Sequence, residues 1–159
     1  MESDSTPREK LPSGPVDELR ETLPKKAVDH LTDPRNVGEF RTPDGLGRAS
    51  IACGDSMQIG LRVGNERILE AKFMTDGCGP AVACGSMATE LVKGKTISEA
   101  MALSEEDVIT GLDGLPDTET HCATLAVSAL KRALTDYLVL RREPWKRTYR
   151  QVDPFTPGK

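Results

Sequence analysis

Three cysteines lie far apart in the chain, and two of them, Cys78 and Cys122, are predicted beside a helix N-terminus. Cys78 stands between two glycines and shortly before Pro80, which suits the first position of a helix. The dipole and free N–H groups of a helix N-terminus favour the thiolate, whereas an ordinary cysteine, with a pKa of roughly 8.5, is only about 3% ionised at neutral pH. Cys53 lies 25 residues before Cys78, and Cys122 lies 44 residues after it. This pattern favours metal binding or nucleophilic chemistry at the three sulfurs.

Two of these cysteines have a second potential ligand beside them. Asp55 follows Cys53 by two positions, and His121 directly precedes Cys122. Three thiolates and one weaker oxygen or nitrogen ligand complete a tetrahedral shell, and such a mixed shell suits an iron–sulfur cargo that must leave. Neighbouring helical side chains point about 100° apart, so we expect His121 to be an alternate ligand and not a simultaneous one. The fourth ligand, Asp55 or His121, stays open.

The fourth cysteine does not fit this pattern. Cys84 lies six residues after Cys78, inside the predicted helix. A free cysteine is among the most frequently buried residue types, so we expect Cys84 to be a small core residue.

Composition predicts one soluble domain. The chain has 159 residues, of which 37% are hydrophobic, and its six aromatic residues (one Trp, two Tyr, three Phe) imply an aliphatic core. We predict a flexible segment over 1–22, a domain over 23–142 and an irregular tail over 143–159.

A net charge of −4 without a basic stripe argues against nucleic acid as a partner, and no apolar run is long enough for a membrane span. Four cysteines without a signal-like leader indicate the cytoplasm.

Alternating residues predict a small antiparallel sheet in the first half of the domain. Residues 41–47 contain a proline and two glycines and are predicted to be a loop, with a short β segment at 49–52 leading into Cys53. Two further strands are predicted at 57–63 and 68–75, joined by a turn at 64–66. In an antiparallel meander the first and third strands end at the same edge, which would bring Cys53 and Cys78 together.

Capping residues and helical spacing predict five helices around this sheet. The longest, from about Thr118 to Arg142, carries an apolar stripe that begins at Cys122. Acidic residues after Ser104 indicate another helix start, and Thr96 or Ser98 caps a short one that runs through Leu103. The remaining two helices are predicted from about residue 24 to before Pro34 and over 81–91.

The separate motifs together resemble those of a known family. Cys53-Gly54-Asp55, Gly77-Cys78-Gly79 and His121-Cys122, at these separations, are similar to the motifs of the IscU family of iron–sulfur cluster assembly scaffolds, which includes the N-terminal domain of NifU. The segments 33–38 and 88–96 match the family as well, so that the resemblance covers about residues 24–140. It implies an α+β fold of the IscU/SufE-like type, with a three-stranded antiparallel sheet packed against helices.

The resemblance also implies a function and a set of site residues. A cysteine desulfurase would donate sulfur, iron would join it, and a [2Fe-2S] cluster would form and pass to apo iron–sulfur proteins, so that the chain is a scaffold and not an enzyme. Carried over by position, the cluster and metal ligands are Cys53, Asp55, Cys78 and Cys122, with His121 as the alternate ligand. Cys122 would also be the first persulfide acceptor. Homo-oligomerisation stays open.

One segment departs from the family pattern. Bacterial and mitochondrial members read Leu-Pro-Pro-Val-Lys before the His-Cys pair, at a site for a dedicated Hsp70-type chaperone, whereas this chain reads Leu115-Pro116-Asp117-Thr118-Glu119. The lost proline and the replacement of lysine by an acid argue against that chaperone as a partner.

Two other functions compete with the scaffold. One is a zinc-dependent sulfurtransferase like the SufU relatives, in which zinc holds the resting thiols; zinc can also occupy a scaffold during purification. Those relatives carry an insertion between the second and third cysteines, for which a separation of 44 residues leaves too little room. The other is an adaptor that binds through its aromatic tail, whose function would not depend on the cysteines.

Overall fold

The computed structural model describes residues 23–52, 54–77 and 79–146. The predicted flexible segment 1–22, residues 147–159 of the predicted tail, and both Cys53 and Cys78 lie outside the described residues.

The architecture is α+β, as the resemblance implied. Three antiparallel strands form one sheet in the order β1-β2-β3, and helices pack against it. The strands are β1 (Gly45–Ser50), β2 (Ser56–Gly64) and β3 (Arg67–Thr75). The helices are α1 (Lys25–Thr32), α2 (Gly79–Val92), α3 (Ile97–Met101), α4 (Glu105–Gly111) and α5 (Thr120–Arg142), with a short 3₁₀ turn at Asp117–Glu119 before α5.

The β2–β3 hairpin confirms the two predicted strands and their turn. Asn65 and Glu66 have φ values of 54° and 63°. Positive φ at both central residues is the geometry of a type I′ turn, whose twist matches that of the flanking strands. Met57 therefore pairs with Thr75 at the other end of the hairpin, and the chain enters β2 and leaves β3 side by side.

The prediction for the first strand was wrong in its position. Residues 45–47 belong to β1 and not to a loop, and the strand ends at Ser50. The reason is the close approach of α5, since a Cβ atom at Gly45 would lie 2.9 Å from Cβ of Tyr137 and one at Gly47 would overlap the backbone of Ala133. The glycines are there because the helix backbone lies directly on the strand.

The predicted helices are confirmed, and their caps explain where they begin. Thr96 and Glu99 form a reciprocal capping box for α3, and Ser104 and Asp107 form one for α4. Gly94 has a φ of 81° where the chain leaves α2. The helix α2 begins at Gly79, two residues before the predicted start, and α3 ends at Met101, two residues before the predicted end.

The aliphatic core lies between the sheet and the long helices. The predicted stripe of α5 is buried as far as Ala133, while Tyr137 is only partly buried. Cys84 is fully buried in this core, as predicted. Among the described residues, no helix is both long and apolar enough to span a membrane.

Both edges of the sheet are covered by other parts of the chain. On β1, Asp136 accepts a hydrogen bond from the Leu46 N–H at 2.9 Å, and Arg132 donates one to the Arg48 carbonyl at 3.0 Å. On β3, backbone hydrogen bonds run to residues 36–38 at one end and to residues 94–95 at the other.

Candidate functional site

The first part of the site is the end of the sheet where β2 begins and β3 ends. Asp76, which follows β3, accepts hydrogen bonds from the Ser56 N–H at 2.8 Å and from the Ser56 hydroxyl at 3.1 Å. Thr75 donates its hydroxyl to the Ser56 carbonyl at 2.6 Å, and accepts from the Gly77 N–H at 3.0 Å. These bonds tie the residues that precede Cys78 to the residues that follow Cys53.

Asp55 follows Cys53 and lies directly against Gly77, which precedes Cys78. A Cβ atom at Gly77 would lie 3.3 Å from Oδ2 of Asp55 and 2.7 Å from Cβ of Ala81. Only glycine permits this approach without displacement of Ala81. The loop before Asp55 is closed by backbone hydrogen bonds from the Ile51 N–H to the Asp55 carbonyl and from the Gly54 N–H to the Ile51 carbonyl. The described residues next to Cys53 and Cys78 thus meet at the same end of the sheet, as predicted from the antiparallel order of the strands.

The second part of the site is the start of α5. Cys122 is fully buried in the first turn of this helix, while the preceding His121 is exposed. The Cys122 thiol donates a weak hydrogen bond to Oε1 of Glu119 at a distance of 4.0 Å. One ligand atom from each of these three side chains lies within 4.8 Å of the others. A thiol, an imidazole and a carboxylate therefore converge here.

This convergence includes a residue that the sequence reasoning missed. Glu119 was noted only as a departure from the family lysine, although its position three residues before Cys122 places the two on one side of a helical turn. The ligand atoms of His121 and Cys122 also lie within 4.8 Å of each other, so this geometry allows both side chains to bind one ion at the same time. Alternate use of His121 stays a prediction.

Asp55 does not belong to this group of ligand atoms among the described residues. Among the described residues the candidate site therefore has two separate parts, Asp55 against Gly77 and the three side chains at the start of α5. Because Cys53 and Cys78 lie outside the described residues, the complete shell of Cys53, Asp55, Cys78 and Cys122 stays a prediction.

A buried polar network supports the helix that starts beside Cys78. His30 of α1 is buried, and its Nδ1 lies 2.7 Å from the hydroxyl oxygen of Ser86 in α2. That oxygen also accepts the Arg35 N–H at 2.9 Å, while the Arg35 guanidinium donates to Asp29 at 2.7 Å. Burial lowers the pKa of His30, and nearby Arg35 lowers it further, against the opposing effect of Asp29 and Glu90.

This network gives a physical role to the turn at residues 33–38. Asn36 has a φ of 66° and donates its side-chain amide to Thr89 at 3.1 Å and to Glu90 at 2.8 Å. Asparagine is one of the few residues that tolerate this conformation. The turn thereby fastens α1 to α2.

Comparison with known proteins places this geometry in a family. The family model of the NifU-like N-terminal domain matches residues 22–143. The iron–sulfur cluster assembly scaffold protein IscU 1 of Archaeoglobus fulgidus is 47% identical over 113 residues, which are 70% of this chain and 74% of that protein. The scaffold protein IscU of Escherichia coli K12 is 44% identical over 118 residues, 71% of this chain and 91% of that protein.

Solved structures agree on the fold. The N-terminal part of a nitrogen-fixing NifU-like protein from Brucella abortus matches with a TM-score of 0.60 at 13% identity, covering 73% of this chain and 94% of that one. A protein described as a scaffold for the SUF system of Fervidobacterium islandicum matches with a TM-score of 0.58 at 18% identity, over 72% of this chain and 98% of that one. On the match to the family model and the identity to the IscU proteins, this chain belongs to the NifU-like N-terminal domain family.

Proposed function

We propose that this chain is a scaffold on which a [2Fe-2S] cluster is built from iron and desulfurase-derived sulfur, and from which the cluster passes to apo-proteins. The observation that supports this most directly is the meeting of Asp55 with Gly77, since it brings together the segments that carry Cys53 and Cys78. Similarity over most of the chain to proteins named as scaffolds points the same way. The cluster is cargo here, and the ligands are Cys53, Asp55, Cys78 and Cys122.

The proposed sulfur transfer starts at Cys122. The Cys122 thiolate attacks the sulfane sulfur of a desulfurase persulfide, and the desulfurase cysteine leaves as a thiolate. Because Cys122 is fully buried, the start of α5 must rearrange to expose the thiol before this attack. Two sulfane sulfurs need four electrons to become sulfide; two ferrous ions supply two, and a thiol reductant such as dithiothreitol supplies the other two.

The proposed release depends on Asp55. A carboxylate oxygen is a harder and weaker ligand for iron–sulfur iron than a thiolate, so it is the bond that an incoming acceptor thiolate replaces most easily. The Asp55 carboxylate lies beside Gly77 at the loop end and is half-buried, so an incoming thiolate can reach it.

The zinc-dependent sulfurtransferase remains the second candidate. The likeness to the protein of the SUF system is at 18% identity and concerns the fold alone. A sulfurtransferase would accept persulfide sulfur on Cys122 and keep zinc, but would assemble no cluster under the same conditions.

The test is anaerobic assembly with ferrous iron, L-cysteine, dithiothreitol and a cysteine desulfurase, followed by visible absorption and by iron and sulfide analysis. A scaffold should give a brown protein with equal amounts of iron and acid-labile sulfide and should activate an apo-ferredoxin. Cys53→Ser, Cys78→Ser and Cys122→Ser should each lose stable cluster, whereas Cys84→Ala, in the core, should retain it. Persulfide on Cys122 without cluster formation would favour the sulfurtransferase.

A further inference from the structure

The start of α5 carries a carboxylate that the proposed cluster shell does not use. Glu119 is the last residue of the 3₁₀ turn and is half-buried, with Oε1 at 4.0 Å from Sγ of Cys122. His121 provides a ring nitrogen within 4.8 Å of both groups. Three ligand types thus occupy a span of four consecutive residues.

These atoms are close to the spacing that one metal ion requires. Ligands bonded at about 2.0–2.3 Å around a tetrahedral ion are roughly 3.3–3.8 Å apart. The three ligand atoms lie within 4.8 Å of one another, so they would have to move together by about 1 Å to bind one ion. An exposed imidazole and a flexible glutamate can make this movement by side-chain rotation. Carboxylate, imidazole and thiolate together suit divalent iron, cobalt or zinc.

The three side chains at the start of α5 come from one part of the chain, unlike the ligands of the proposed cluster shell. The proposed shell needs three separate chain segments, whereas Glu119, His121 and Cys122 need only one helix start. Further along, the backbone of that helix packs directly on Gly45 and Gly47 of β1. A cation can meet exposed His121 and half-buried Glu119 first and the buried thiol last.

We propose that Glu119 joins His121 and Cys122 as the third protein ligand of a mononuclear divalent-cation site that can hold one ferrous ion. As the thiolate binds, its proton passes to water, and the fourth position stays open for a ligand from another segment. The identity of the metal as iron rests on the proposed scaffold function. The site itself rests on the three converging side chains.

The test uses the full chain with Cys53→Ser and Cys78→Ser, titrated anaerobically with Co²⁺ as the probe. We expect one bound Co²⁺ with a charge-transfer band from a single thiolate. Adding Glu119→Gln should weaken Co²⁺ binding at least tenfold. Loss of a group that only hydrogen-bonds a metal ligand lowers metal affinity about 10–100-fold, and loss of a ligand itself should lower it no less. The matched control, Asp117→Asn, alters an exposed acid of the same turn and should change the affinity less than about twofold.

Two results would overturn the site, and neither depends on cluster assembly. One is a Glu119→Gln variant, folded by circular dichroism, that binds Co²⁺ as tightly as its parent. The other is the absence of thiolate-bound Co²⁺ in the Cys53→Ser, Cys78→Ser parent. If the Co²⁺ site stands but the wild-type chain builds no cluster, the scaffold function fails instead.

Discussion

Ser86→Ala tests the polar network that fastens α1 and the following turn to α2. The Ser86 hydroxyl oxygen is fully buried and lies 2.7 Å from Nδ1 of His30 and 2.9 Å from the backbone nitrogen of Arg35. Alanine keeps the Cβ atom and removes the oxygen, so that both nitrogen atoms lose their partner while the hydrocarbon packing stays the same.

The expected cost follows from those two orphaned groups. A buried polar group left without a partner costs about 1–3 kcal/mol, and His30 is buried while Arg35 is half-exposed. Alanine regains about 0.5 kcal/mol through its higher helix propensity. We therefore expect the free energy of unfolding to fall by about 2–3 kcal/mol, and the Tm to fall by roughly 5–15 °C.

The assay is urea unfolding followed by far-ultraviolet circular dichroism at pH 7.5, with reductant and chelator present. The control is Ser98→Ala, an exposed serine of α3, which should change the free energy of unfolding by less than about 0.5 kcal/mol. A loss below about 0.5 kcal/mol in Ser86→Ala would refute the reasoning, because water would then be replacing the hydroxyl.

Four further results are expected. Gly47→Ala should lower the free energy of unfolding by about 1–3 kcal/mol or more in urea titrations, because its methyl group overlaps the backbone of Ala133. Asp55→Ala should lengthen the lifetime of the assembled cluster and slow its transfer to an apo-ferredoxin, both followed by visible absorption. Cys122→Ser should abolish persulfide on this chain after incubation with a desulfurase, as read by mass spectrometry. The pKa of buried His30 is lowered in the folded state, so the unfolded state binds more protons as the pH falls below 6.5. The free energy of unfolding that depends on His30 should therefore be complete above pH 6.5 and should fall as the pH drops below it. His30→Gln should lack this dependence.

Each of these results has a counterpart that would contradict it. An unchanged stability of Gly47→Ala would mean that α5 can move away from β1 at no cost. An unchanged transfer rate in Asp55→Ala would remove the carboxylate from its role in release, and persulfide on Cys122→Ser would move the acceptor to Cys53, Cys78 or Cys84. Equal pH dependence in the wild type and in His30→Gln would assign the titration to another group.

Most of the secondary structure could be predicted because its causes are local. Alternation identified β2 and β3, and the capping residues Thr96 and Ser104 identified two helix starts. The position of β1 could not be found this way. Gly45 and Gly47 look like loop residues, and only the approach of a helix almost ninety residues further along the chain explains them.

The candidate site divides in the same manner. Residue type and spacing make Asp55, His121 and Cys122 candidate ligands, which stays a prediction, and the antiparallel order of the strands correctly predicted that the described residues next to Cys53 and Cys78 meet. The position of Glu119 beside Cys122 was missed because a comparison of motifs presents it only as a lost lysine.

The polar network under α2 was missed as well, for a different reason. His30 and Ser86 are 56 residues apart, and neither carries a local signal for the other. Such a pair is recognised only when the packing of α1 on α2 is known.

The covered edges of the sheet limit how other proteins can approach this chain. Exposed edge strands are templates on which a foreign strand or a second copy can add. Here side chains of α5 form hydrogen bonds with outward-facing backbone groups of β1. The backbone of residues 36–38 and 94–95 forms hydrogen bonds with outward-facing groups of β3. A protein that binds this chain would therefore find few unpaired groups on the sheet edges and would have to dock through helices, loops and side chains.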